Sequence, residues 1–156
     1  MSVINFRTIR VFVPHFLIIL PVLLWSACTS NSSEVALHDS LGSYIQAALS
    51  AQAEALTNWD QFILGTGKNC QQGLPVPNHF NLSQSQADQF PQALSVRDYL
   101  YTGITLLEQS SQVWDQICAN SDAFVLPADV NRGYRAARDA KTALEQAQIV
   151  FSTWNP

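Results

Sequence analysis

The chain has 156 residues, enough for one domain with a real core, and carries twelve acidic against eight basic residues for a formal net charge of −4. That balance argues against general nucleic-acid binding, which needs phosphate-neutralising Lys and Arg. It favours solubility and gives no hint of a polyanionic partner.

The first residues, MSVINFRTIR, hold Arg7 and Arg10 and no acid, and an apolar stretch from Val11 to Ala27 follows. This is the order of regions in an export signal. As a helix the stretch would span about 26 Å, short of a roughly 30 Å hydrocarbon core, and Pro14, His15 and Pro21 interrupt it. Cleavage is therefore expected in preference to a permanent span. Residues 1–27 are read as the signal, 28–33 as a polar tether and 34–156 as the folded domain. Without Arg7 and Arg10 the net charge becomes −6.

The boundary Trp25-Ser26-Ala27-Cys28 resembles the bacterial lipobox, where small residues precede a cysteine that is acylated and becomes the mature N-terminus. Ser26, Ala27 and Cys28 fit the pattern. Trp25 departs from it, standing where the family usually has Leu or another aliphatic residue. The resemblance implies a lipid anchor at Cys28 and a place in the cell envelope. The alternatives are ordinary secretory cleavage near Ala27 or Ser30, giving a secreted soluble protein, and an uncleaved N-terminal anchor. If Cys28 carries lipid, Cys70 and Cys118 remain as a pair able to form one disulfide in an oxidising compartment.

From about Glu34 to Leu64, Leu41, Ile45, Ala48, Ala55, Trp59 and Phe62 step by four and three, with Gln52 the polar exception, and Leu49, Leu56 and Ile63 widen the stripe. A face this wide predicts a helix with two neighbours. Gly65-Thr66-Gly67 ends it. Residues 68–94 lack such a stripe and hold Pro75, Pro77 and Pro91, so they form a long connector. Within it Ser83 to Phe90 make one or two helical turns with Ser83 as cap.

A second long helix is predicted after Ser95, whose spacing to Asp98 approaches a capping box. Its stripe is Val96, Leu100, Gly103, Leu107, Ser110, Trp114 and Ile117, and Asn120-Ser121 marks its end. The third begins near Pro127 and runs toward Thr153 with Val130, Gly133, Ala137, Ala140, Leu144, Ala147, Phe151 and Trp154 inward. The expectation is an all-α bundle of three long helices, with a crossover connector that adds a short fourth. A Cys70–Cys118 bridge would require the first two long helices to run parallel, because an antiparallel pair would put the cysteines at opposite ends.

Catalytic groups are scarce. Glu34 and His38 share a helix face but lack a third metal ligand at sensible spacing, and no phosphate-cradling glycine loop, haem attachment or nucleophile motif occurs. No catalytic residue, metal or cofactor is assigned. Two candidate sites remain. Trp59, Phe62, Trp114 and Tyr134 would meet at one end of the bundle, as a ligand pocket or as core. Arg132, Arg135, Arg138 and Lys141 form a contact face for an acidic partner or lipid headgroups, or a solvated face balanced by Asp129, Asp139 and Glu145. The function expected is a membrane-tethered, extracytoplasmic module acting through an unknown protein partner, without catalysis; the alternative is a small-molecule-binding bundle. Asn31-Ser32-Ser33 and Asn81-Leu82-Ser83 match the N-glycosylation pattern, which matters only in a eukaryotic secretory route.

Overall fold

The computed structural model describes residues 16–66, 70–119 and 125–155, with side chains from Ser32 onward. The start of the expected signal, the side chain of Cys28, Gly67 and the Asn120-Ser121 helix end lie outside the described residues. Among the described residues there are four helices and no strand: α1 (Phe16–Ile63), α2 (Gln84–Gln89), α3 (Pro91–Ala119) and α4 (Pro127–Thr153). The all-α bundle of three long helices with a short fourth is the fold expected.

Two boundaries differ from expectation. Helix α1 does not begin near Glu34 but runs through residues 28–33, so the polar tether is helical in the full chain. Helix α3 begins at Pro91, not after Ser95. Pro91 both ends α2 and opens α3, because a proline's fixed φ and missing N–H suit a first helical turn. Ser95 is therefore inside α3 with its hydroxyl on the Pro91 carbonyl, and no capping box forms there. The box is at Ser83 instead, with Gln86 bonding back to the Ser83 N–H.

At its other end α1 closes on Gly65, whose φ of 67° requires glycine. Gly65 N–H donates to the Phe62 carbonyl and Thr66 N–H to that of Gln61, the paired bonds of a Schellman turn.

The predicted stripes supply the core, except that Ile63, expected to widen the α1 stripe, is 53 % exposed because it is the last residue of α1, past the packed layer of Trp59. Leu41, Ile45, Ala48, Ala55 and Trp59 of α1 meet Val96, Leu100, Leu107 and Trp114 of α3 and Ala137, Ala140, Leu144 and Ala147 of α4. Both polar residues within the stripes are bonded: Gln52 donates to the Ala137 carbonyl at 3.1 Å, and Ser110 accepts from Trp59 Nε1 at 2.8 Å. Buried polar groups need such partners.

Trp59 touches Trp114, so α1 and α3 run parallel, while contacts of Trp59 with Gly133 and of Glu34 with Trp154 make α4 antiparallel to α1. Cys70 and Cys118 are bridged with Cα atoms 5.3 Å apart. On the chain-entropy treatment, closing a loop of this length stabilises the fold by about 4 kcal/mol. From the bridge the chain must return the length of α3, about 40 Å, and residues 71–83 reach about 45 Å when extended. They follow the α1–α3 seam. Phe80 meets Tyr44 of α1 edge-on, and His79 stacks on Tyr101 of α3 with Nε2 3.2 Å from Glu108. Leu74 and Leu82 are buried in the core along the way.

Candidate functional site

The aromatic end is built by three helices. Trp59 and Trp114 are buried and pack edge-to-face with ring centres 5.0 Å apart, and Phe62 leans on both. Gly133 permits this: a Cβ there would lie 2.2 Å from the Trp59 ring, so α4 approaches the indole through bare backbone. The four predicted aromatic residues thus divide. Trp59 and Trp114 fill the core, whereas Phe62 and Tyr134 border an open surface cleft of about 460 Å³ with Val130 and Pro127.

The opposite end carries a second aromatic group. His38 stacks on Phe151 at 4.2 Å and meets Trp154 edge-on, and Trp154 Nε1 donates to Glu34. Glu34 and His38, the pair weighed as metal ligands, are therefore engaged in closing the bundle. Sequence reasoning missed this cluster, because Trp154 lies 120 residues from Glu34. Nearby in the α1–connector seam, burial pushes the Tyr44 phenol above the ordinary tyrosine pKa.

The four basic residues of α4 also divide. Arg132 pairs with Asp129 at 3.0 Å, Lys141 lies 3.7 Å from Glu145, and Arg138 lies 3.5 Å from Asp139. The i,i+4 spacing of Arg135 to Asp139 suggested a pair, yet Asp139 is taken by its neighbour, and no ion pair holds Arg135 among the described residues.

Arg132 and Arg135 border a groove of about 560 Å³ between α3 and α4. Its facing wall is the row Gln109, Gln112 and Gln116. The local sequence explains the hollow: Ala128 and Ala136 are too short to fill the space between the helices, while long polar side chains stand on both rims. Asp139 closes one end of the groove beside Leu106.

This groove stands far from Cys28. Gly133 is level with Trp59, which lies 31 residues beyond Cys28 on a continuous helix, a rise of about 45 Å. Among the described residues no helix is long and apolar enough to cross a membrane, and no cluster of three metal-ligating side chains occurs. No protein-family model, curated protein or solved structure matches the chain.

Proposed function

We propose that the mature protein is a helical lipoprotein module of the cell envelope, held to a membrane by lipid at Cys28 and acting through protein contacts without catalysis. The observation that carries this reading is the pairing of cysteines. Of three in the chain, Cys70 and Cys118 bridge each other, so the third is the one at the lipobox-like boundary. A bridged pair suits an oxidising compartment outside the cytoplasm. Glu34 already bonds Trp154 and Leu37 is already buried in the core, so few residues separate the anchor from the bundle.

Growing cells with an alkyne fatty acid tests the anchor. Wild-type protein is expected to take the tag and Cys28→Ala to lose it; untagged wild type sinks the proposal. The alternative is a small-molecule site at the aromatic end: Trp59 and Trp114 fill the space between them with each other and with the Gly133 backbone, so such a site would rest on Phe62 and Tyr134, which border the surface cleft there.

A further inference from the structure

We infer that the α3–α4 groove is a docking site for an acidic peptide segment of a partner protein. This rests on reading the chain as a contact module and names the chemistry of the contact.

Charge is the first argument. After loss of the signal the chain carries a net charge of −6, yet four of its six remaining basic residues lie within ten positions of α4. Three of the four lie within 4 Å of a carboxylate of the same helix, and Arg135 does not. A guanidinium presents a planar fork of donors that matches a carboxylate in bidentate fashion. Arg135 is thus a cation at a groove rim with its donors uncommitted; Arg132, one helical turn away, is shared with Asp129, and the one carboxylate in the lining, Asp139, is drawn to Arg138.

Shape and hydrogen bonding are the second. The groove follows the helices from Leu106 to Gln116, about 15 Å, with Asp139 at one end. An extended chain segment fits such a trough better than a compact solute does. The side chains of Gln109 and Gln112 make no hydrogen bond among the described residues. Each carboxamide offers both donors and an acceptor, which is what the alternating N–H and C=O groups of a peptide backbone require. The floor between the rims includes Val113 and Ala136, which are buried and leave only a narrow apolar strip.

Position is the third. Lipid headgroups of the anchoring membrane are the poorer occupant, because the groove lies about 45 Å along α1 from Cys28 and reaches them only if the bundle lies flat. A bundle standing on its anchor presents this end to a partner protein.

The test titrates the full chain, purified in detergent, into a short fluorescein-labelled peptide of alternating Glu and Gly, followed by anisotropy at low salt. A peptide with Gln for Glu serves as comparison. The acidic peptide is expected to bind about tenfold more tightly than the amide one, and Arg135→Gln to weaken it about five- to tenfold. Lys141→Gln removes the same charge outside the groove and is expected to change affinity less than about twofold. Circular dichroism confirms that each variant is folded. Absent binding, equal binding of the two peptides, or equal losses for Arg135→Gln and Lys141→Gln would overturn the site. Complete displacement by millimolar inorganic phosphate would also overturn it, by reducing the groove to a simple anion site. The titration is independent of acylation: failed binding with Cys28 still tagged removes the groove alone, and untagged Cys28 with intact binding removes the tether alone.

Discussion

The two ends of the bundle solve one problem in different ways. Each buries a tryptophan and bonds its indole N–H, although at the disulfide end the N–H of the neighbouring Trp114 is buried without a partner among the described residues. At the disulfide end Trp59 is fully buried and bonds Ser110, itself fully buried, while Gly133 brings the α4 backbone onto the ring. At the other end Trp154 bonds the half-buried Glu34, and His38 and Phe151 pack around it with part of their surface open to solvent. The first arrangement is closed and depends on residues with no substitute. The second has water close at hand, so losses there can be made good. The difference predicts a steep gradient of mutational cost along α1.

The largest effect should come from removing the bridge. Replacing Cys70 and Cys118 together by Ser is expected to cost about 4 kcal/mol, read as a lower midpoint in urea unfolding. A loss confined to less than about 1 kcal/mol would mean that packing alone holds the connector against α3. Next is Gly133→Val, which drives a branched side chain into the Trp59 ring and should cost about 3 kcal/mol. Gly42→Ala at the open end is its counterpart. There a Cβ would meet only the tip of the Phe151 ring at 2.9 Å, and a small ring movement with improved helix propensity should leave stability within about 1 kcal/mol of wild type. Equal losses for the two glycines would break the contrast between the ends.

What the sequence made legible follows from this gradient. The stripes of α1, α3 and α4 were readable because the buried layers repeat at helical spacing, and the parallel sense of α1 and α3 was readable only on the condition that Cys70 and Cys118 bridge, as they do. Gln52 and Ser110 stood out as polar residues inside apolar stripes, but their partners lie 85 and 51 residues away, so only the fold could supply them. The connector was harder. Leu74, Val76, Phe80 and Leu82 turn inward at steps of two, a period obscured by Asn78 and by the prolines at 75 and 77. Pro91 was readable as a stop and equally as a start. The groove could not be read at all, because its glutamines and arginines occupy the polar faces of two helices. Their meeting depends on the register between α3 and α4, which is set in part by Gly103 lying against Leu144.

Ser110→Ala is the third prediction and isolates hydrogen bonding from packing. It removes one oxygen and leaves the Trp59 N–H buried with no acceptor, so a loss of about 1–3 kcal/mol is expected in urea unfolding. Combining it with Trp59→Phe, which removes the donor as well, should recover part of the hydrogen-bond penalty, since a buried donor without an acceptor is the costly state. Strict additivity of the two substitutions would show that the bond contributes nothing beyond the ring.

Glu34→Ala is the matching change at the open end and should have the smallest effect. The acceptor of the Trp154 N–H is lost, just as the acceptor of the Trp59 N–H is lost in Ser110→Ala. Here the bond is only part-buried, and solvent can approach the indole once the carboxylate side chain is gone. The exchange of a protein acceptor for water should therefore cost at most about 0.5–1 kcal/mol. The same reasoning predicts faster hydrogen exchange at the Trp154 indole than at that of Trp59 in the wild-type protein, readable by NMR. If Glu34→Ala costs as much as Ser110→Ala, and the two indoles exchange alike, then the Trp154 end is as dry as the disulfide end. The stability gradient along α1 would in that case have to come from the bridge and from the close approach of Gly133 to Trp59.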